Sequence, residues 1–333
     1  MLDYRSVCRT IALARYGLPT MNSAQQLFDR ALLRKRRTRA ADSLAHHDFL
    51  LDRSAQDFAE RLSAIQREFA ICAVVGAHTG RVAERLSRLP KVGTLVQTES
   101  IMALAQRLIR PSVVCDEETL PFADQSLDLI ASALSLQLVN DLPGVLAQMR
   151  RALTPDGLLL VSILGGDTLC ELREAFMTAE AEIEGGASPR VAPFGDVREL
   201  GALLQRAGLA LPVADRDIAT VSYATPIALM AELRAMGAGN VLFDRKRSML
   251  KRTTLMRACE IYSERHGDAR GRVTATFEII TLTAWAPHES QQKPLAPGTA
   301  DTRLASALGA TEYSAGEKAS FGVKPVGDKK RAG

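Results

Sequence analysis

The chain has 333 residues, of which 47% are hydrophobic, so it can bury one large core or two smaller ones. Its formal net charge is only +4, which excludes polyanion binding by the molecule as a whole and leaves such a role to a local basic patch. Five cysteines occur without a Cys-x-x-Cys pair, which argues against a zinc site and against a disulfide framework.

The first twenty residues, MLDYRSVCRTIALARYGLPT, contain three arginines and one acid. This composition is typical of a mitochondrial transit peptide, and the alternative is an upstream start codon with Met21 as the true beginning. No apolar run in the chain approaches the roughly 20 residues that cross a bilayer. We therefore expect a soluble protein, cytoplasmic in a bacterium or located in the mitochondrial matrix if residues 1–20 are a transit peptide, with residues 1–22 outside the fold.

Two amphipathic helices are predicted next, over residues 24–40 and 44–65. The first is strongly basic, and its cationic side chains are Arg30, Arg34, Lys35, Arg36, Arg37 and Arg39. It can be interpreted as a phosphate- or membrane-binding helix or as a solvated helix face. Nucleic-acid modification guided by this helix is disfavoured, because no set of aromatic side chains for stacking on bases accompanies it.

From residue 70 onward, short apolar runs alternate with helical patterns. The predicted strands cover 70–76, 92–99, 111–118, 126–134 and 158–164, and the helices between them cover 80–89, 100–109 and 142–153, the last ending at a TPDG turn. Uniformly apolar strands joined by crossover helices indicate a doubly wound, mostly parallel α/β sheet with helices on both faces.

The second half of the chain is predicted to cover this core. Helices are expected near 168–182, 197–207, 225–236 and 247–265, and strands at 210–223 and 271–286 could extend the sheet as an antiparallel pair at its edge. The resulting organisation is N-terminal helices over 23–66, a cofactor-binding core over 67–165, a C-terminal α/β cover over 166–300 and a loose tail over 301–333.

Three features at successive strand ends are placed to bind a nucleotide-like cofactor. Gly76 follows the first strand and Gly80 opens the next helix, where a tight turn and a helix N-terminus can face a polar ligand. Glu99 ends the second strand and is positioned to accept hydrogen bonds from two ribose hydroxyls. Asp116 ends the third strand, where it could meet an adenine amino group. Each feature alone also fits ordinary loop chemistry, but their order favours a ligand.

In this order the sequence resembles the class I S-adenosylmethionine-dependent methyltransferases. A finer resemblance, over nearly all of residues 24–300, is to the branch of the mitochondrial complex I assembly factor 5 group and its bacterial relatives. It rests on FDRALLRKR (28–36), DEETLPFADQSLDLIASALSLQLVNDLPGVLAQMRRALTPDG (116–157), GGDTLCELREAF (165–176), EGGASPRVAPF (184–194), LGALLQRAGL (200–209) and PHESQQKPLAPGTA (287–300). The resemblance implies modification of an arginine on a complex I subunit, which is hydroxylation in the mitochondrial member.

Position by position, the resemblance assigns a cofactor-binding set for S-adenosylmethionine. The set is Gly76, His78 and Gly80 in the loop, Glu99 at the ribose, and Asp116 and Glu117 on the adenine side. The chain departs from the family pattern at Val74, which replaces an acid, and at His78, which replaces a glycine. Gln137 and Leu138 replace an expected His-Trp pair. We expect the departures at Val74 and His78 to weaken cofactor binding, or to hold the ligand slightly further out, without necessarily abolishing binding.

The second half offers three candidate catalytic residues. Asp167 follows the fifth strand and could act on substrate, with helix capping by Asp167 or Thr168 as the alternative. His288 and Glu289 follow the long strand and could perform acid–base work or bind a guanidinium, with a solvated turn as the alternative. No histidine and carboxylate pattern predicts a metal site.

Two hypotheses from different classes remain open. The first is an S-adenosylmethionine-binding enzyme that methylates or hydroxylates a protein arginine, the partner being a subunit of respiratory NADH dehydrogenase. The second is a cofactor-free assembly chaperone that kept the methyltransferase fold. Val74 and His78 favour the chaperone, whereas Glu99, Asp116 and the retained glycines favour the enzyme.

Overall fold

A computed structural model describes residues 26–292 and Gly309. Up to Glu289 the described residues form one compact unit, and from Ser290 a second unit begins, of which residues 290–292 and Gly309 are described. The predicted extension at 1–22 and the predicted tail, except Gly309, therefore lie outside the described residues. Among the described helices, none combines the length and the apolar character needed to cross a membrane.

Seven strands form a single sheet. They are β1 (Phe69–Val75), β2 (Val92–Glu99), β3 (Ser112–Val114), β4 (Leu127–Ala133), β5 (Leu153–Leu164), β6 (Ala210–Tyr223) and β7 (Val273–Trp285). Their spatial order is β3-β2-β1-β4-β5-β7-β6, with β1 to β5 parallel and β7 antiparallel to both of its neighbours. This order confirms the predicted doubly wound sheet and its antiparallel pair at one edge.

Nine α-helices among the described residues surround the sheet. They are α1 (Arg30–Ala40), α2 (Phe49–Ala64), α3 (Arg81–Leu86), α4 (Met102–Ala105), α5 (Leu142–Ala152), α6 (Cys170–Glu184), α7 (Val197–Arg206), α8 (Pro226–Ala235) and α9 (Arg252–His266). Helix α1 begins later than predicted because the Asp29 side chain accepts the Leu32 N–H at 2.9 Å and so caps the helix. The preceding residue, Phe28, is bridged to Leu242.

The strands are apolar throughout because both faces of the sheet are covered. In β1, Cys72 and Val74 pack into one buried apolar cluster, and Ala73 and Val75 pack into another on the opposite face. All four side chains are fully buried. The site of the missing family acid, Val74, is thus a packed core position, where an unpaired carboxylate would be strongly destabilising.

Candidate cofactor and substrate site

The loop after β1 needs glycine at Gly76 and favours it at Gly80. Gly76 has φ +65°, and a Cβ there would lie 2.1 Å from Ser135 Oγ, so a side chain is excluded by both backbone and space. Gly80 also has a left-handed φ, of +83°. His78 adopts φ +51°, a conformation that costs a non-glycine residue roughly 1–2 kcal/mol. The backbone geometry therefore explains why the family pattern places glycine where this chain has His78.

Glu99 joins the end of β2 to this loop. Its carboxylate accepts hydrogen bonds from the backbone N–H of His78 at 2.8 Å and of Ile101 at 3.0 Å. The residue is buried, and burial raises its pKa above the ordinary value. The structure thus places the predicted ribose acid directly against the predicted cofactor loop.

Asp116 and Glu117, after β3, are paired with arginines of α1. Asp116 accepts a hydrogen bond from Arg30 at 2.5 Å and another from Arg34 at 2.8 Å. Glu117 contacts Arg30 and lies 3.7 Å from Arg37. Burial alone would raise the pKa of Glu117, but Arg30 and Arg37 outweigh burial and lower it to about 2.

These pairs correct the sequence interpretation of the basic helix. Arg30 and Arg37 have side chains that are 10% and 9% exposed, so they belong neither to a solvated helix face nor to a surface that a membrane could reach. Their spacing with Arg34 (i, i+4, i+7) puts all three on one side of α1. The sequence contains this spacing, so it could have shown that the three arginines share one side of the helix. It could not have shown which acidic residues they contact.

A cavity of about 820 Å³ adjoins these carboxylates. Its lining includes His78, which belongs to the cofactor loop, together with Arg37 and Gln137. Three buried atoms of these residues, His78 Nε2, Arg37 Nη1 and Gln137 Oε1, have no hydrogen-bond partner among the described residues. Since buried polar atoms are seldom left unpaired, this part of the lining is suited to a polar ligand. The sequence pointed to His78 and Gln137 as departures from the family pattern, and to Arg37 only as part of the basic helix.

The titration of His78 limits its chemistry. Burial lowers the pKa of His78 to about 3, and the positive charge of Arg37 acts in the same direction. The imidazole is therefore neutral at physiological pH. It can take part in hydrogen bonding, but it is a poor proton acceptor.

The wall of the cavity combines apolar side chains with a strong excess of positive charge. Five arginines line it: Arg36, Arg37, Arg39, Arg190 and Arg234. Among the described lining residues the only acid is Asp48, which already accepts hydrogen bonds from Arg81 at 2.8 Å and Thr79 at 2.9 Å. The cavity as a whole therefore favours an anionic group over a cationic one.

Asp167 lies at the same sheet edge as the cofactor loop but outside the cavity. It is exposed, and its carboxylate accepts a hydrogen bond from Arg216 at 2.6 Å. The alternative role considered for Asp167 or Thr168, capping of this helix, is wrong, because α6 follows Leu169 without a side-chain cap. Thr168 instead exchanges hydrogen bonds with the backbone of Glu278, which ties this turn to β7.

His288 and Glu289 lie away from the site. They follow β7, which runs antiparallel to β5 and pairs Trp285 with Leu158, near the beginning of that strand. The end of β7 therefore lies at the sheet edge opposite the one that carries Glu99 and Asp116, and both residues are exposed there. The structure does not bring these two predicted catalytic residues together with the cofactor loop.

Comparison with known proteins shows which family the chain resembles. Residues 73–161 match the family described as "Methyltransferase domain". The chain is similar to proteins named "Arginine-hydroxylase NDUFAF5, mitochondrial". The zebrafish (Danio rerio) protein is 35% identical over 84% of this chain and 88% of its own length, and the human (Homo sapiens) protein is 37% identical over 82% and 81%. A "Malonyl-[acyl-carrier protein] O-methyltransferase" of Xylella fastidiosa (strain M23) is 35% identical over 78% of this chain and 89% of its own length.

Proposed function

The chain belongs to the class I S-adenosylmethionine-dependent methyltransferase superfamily, in the branch with the NDUFAF5 arginine hydroxylases, and from this premise we propose its function. It binds S-adenosylmethionine and modifies an arginine side chain on a subunit of respiratory NADH dehydrogenase. The observation that carries the proposal is the contact between Glu99 and the N–H of His78. Through it, the acid at the end of β2 lies against the glycine loop at the end of β1.

The residues at this edge fit the adenosine end of the cofactor. Glu99 is suited to the ribose hydroxyls, and Asp116 and Glu117 are suited to the adenine side, since carboxylates accept hydrogen bonds from both kinds of donor. Gly76 keeps the loop backbone open to a ligand. When bound, S-adenosylmethionine supplies an electrophilic methyl group.

The proposed acceptor is the guanidinium of a protein arginine. The name shared by the similar animal proteins supports hydroxylation, and the matched methyltransferase domain supports methyl transfer. For methyl transfer, positioning of the acceptor against the methyl group is the main contribution of this fold. Hydroxylation also requires a two-electron oxidant, because it adds an oxygen atom to the arginine. The large cavity beside the cofactor loop offers space for the acceptor.

Calorimetry with S-adenosylmethionine tests the cofactor assignment. We expect micromolar binding by the unaltered protein and its loss in Glu99→Ala. Glu68→Ala is the matched control, because Glu68 is exposed immediately before β1, at the opposite edge of the sheet. Absent or millimolar binding by the unaltered protein would contradict the proposal. Mass spectrometry of partner arginines, with and without the protein, then distinguishes an added methyl group from an added oxygen atom.

A cofactor-free assembly chaperone is the second candidate. The observation in its favour is that both carboxylate oxygens of Asp116 already hold arginines of α1, namely Arg30 and Arg34. If the protein binds its partner subunit but not S-adenosylmethionine, and the partner's arginines remain unmodified, the chaperone function replaces the enzymatic one.

A further inference from the structure

A second, smaller cavity of about 350 Å³ shares Arg36, Arg190 and Asn240 with the large one. We call it the basic vestibule. Its cationic side chains are Arg36, Arg190, Arg245, Lys246 and Arg247, and among its described lining residues there is no acid. These side chains come from α1, from the loop at Arg190 and from the segment 245–247, so the fold brings together three distant parts of the chain.

The positive charge of the vestibule is only partly compensated. Arg190 pairs with Glu180, Arg245 lies 3.2 Å from Asp29, and Lys246 pairs with Glu184. Neither Arg36 nor Arg247 has an ion pair with any described residue. Two cations are therefore left to bind an anion that the chain itself does not supply.

Arg36 is held in place although it has no acid partner. Its Nη1 donates to the carbonyl oxygen of Asn240 at 2.5 Å. A Cβ on Gly239 would lie 2.5 Å from the same nitrogen, so the missing side chain at Gly239 makes room for the guanidinium. Burial lowers the pKa of Arg36, and the positive charges of Arg245 and Arg234 add to this effect, whereas the negative charge of Asp29 opposes it. A cation held among cations is stabilised by a bound anion.

The position of the vestibule beside the large cavity connects its positive charge with the binding of the acceptor arginine. The vestibule shares Arg36, Arg190 and Asn240 with the large cavity, whose lining also includes His78 of the cofactor loop. A guanidinium that enters the large cavity is repelled by Arg36, Arg39 and Arg234, the arginines of its wall that have no ion pair among the described residues. Acidic side chains next to the target arginine would offset that repulsion by binding in the vestibule.

We propose that the basic vestibule binds carboxylates of the protein substrate, so that the modified arginine lies in an acidic segment. This inference rests on the proposed function, since it names the sequence context of the arginine acceptor. Arg36 and Arg247, the two vestibule cations without an ion pair among the described residues, come from two separate segments, and two acidic side chains of one peptide can pair with both of them.

Fluorescence anisotropy with two labelled peptides tests the inference on the intact protein. One peptide carries a single arginine flanked by aspartates, and the other has asparagine in place of each aspartate. We expect the acidic peptide to bind about tenfold more tightly than the neutral one. In the double variant Arg36→Gln/Arg247→Gln, binding of the acidic peptide should weaken by about tenfold and binding of the neutral peptide should stay unchanged.

The double variant Arg198→Gln/Arg270→Gln is the matched control. It removes the same charge from two exposed arginines that line neither cavity, and it should leave binding of both peptides unchanged. Equal affinities for the two peptides, or an equal loss in the control variant, would overturn the inference. So would displacement of the peptide by inorganic phosphate at constant ionic strength, which would indicate a single-ion site.

Two further outcomes separate this inference from the proposed function. A malonylated acyl carrier protein could bind more tightly than the acidic peptide and lose that binding in Arg36→Gln/Arg247→Gln. That result would overturn the inference and indicate that the vestibule binds an acid attached to a carrier protein. The peptide measurement needs neither cofactor nor turnover. If charge-selective peptide binding persists while S-adenosylmethionine fails to bind, the vestibule stands as a docking site and only the enzymatic proposal fails.

Discussion

Replacing Glu117 by glutamine tests the ion pairs that fasten α1 to the cofactor edge of the sheet. The side chains of Glu117 and Arg30 are 2% and 10% exposed, so solvent scarcely screens their interaction. Glutamine keeps nearly the same shape and can still accept the hydrogen bond that Ser100 donates at 3.0 Å. The substitution therefore removes a charge rather than a volume.

The size of the effect follows from the pKa. Although burial would raise it, Arg30 and Arg37 lower the pKa of Glu117 from 4.5 to about 2. That difference corresponds to about 3 kcal/mol of unfolding free energy at neutral pH. Because the folded-state pKa is the lower one, this stabilisation is complete well above pH 4.5 and is lost as the pH falls from 4.5 towards 2.

Urea unfolding followed by circular dichroism at a series of pH values measures this contribution. We expect Glu117→Gln to lose about 3 kcal/mol at pH 7 and to approach the unaltered protein as the pH falls below 4.5. Glu174→Gln is the control, since Glu174 pairs with Arg265 and also contacts His266, but is exposed. The loss of unfolding free energy in Glu174→Gln should be much smaller. A Glu117→Gln deficit that stays constant down to pH 3, or one that Glu174→Gln equals, refutes the reasoning.

Three further predictions concern the cofactor edge. Gly76→Ala should lower the urea midpoint of unfolding more than Gly80→Ala does. Both glycines have a left-handed φ, but only a Cβ at Gly76 would lie 2.1 Å from Ser135 Oγ, so equal midpoints of the two variants would contradict this prediction. Val74→Asp should cost several kcal/mol in urea unfolding instead of restoring a family acid, and an unchanged midpoint would speak against it. Arg34→Gln should tighten S-adenosylmethionine binding in calorimetry by up to about fivefold, since it frees a half-exposed acid for a cationic ligand; weaker binding would count against the proposed role of that acid.

The strands were predictable because their pattern is local. The expected boundaries of β6 agree with the structure, and those of β1 and β4 differ by one residue at each end. Helix α4 is much shorter than the predicted 100–109, because Gln97 Nε2 donates to the Ile109 carbonyl oxygen at 2.6 Å and the chain turns into β3 instead of continuing the helix. The predicted TPDG turn is part of β5, which already pairs with β4 at Leu153. Both differences depend on contacts with a neighbouring strand.

Only those site residues that directly follow a strand could be placed from the sequence. Glu99 and Asp116 follow from the order of parallel strands, whose carboxyl ends meet at one edge. His288 and Glu289 lie at the opposite edge because β7 runs antiparallel to β5, and the predicted antiparallel pair did not specify which of its two strands would run against the core. The partner of Arg30 could not be predicted, because its contact with Glu117 spans 87 positions of the sequence.

Helix α1 links the two halves of the proposed site. Arg30 and Arg37, on one side of it, hold the carboxylates after β3, whereas the neighbouring Arg36 lines the basic vestibule. A ligand that takes over Asp116 or Glu117 must compete with the arginines of α1, the same helix that carries Arg36. If that competition moves α1, linkage requires that an acidic substrate bound at Arg36 change cofactor affinity by the same factor by which the cofactor changes substrate affinity. The ion pairs of α1 are the physical route by which such a coupling would act.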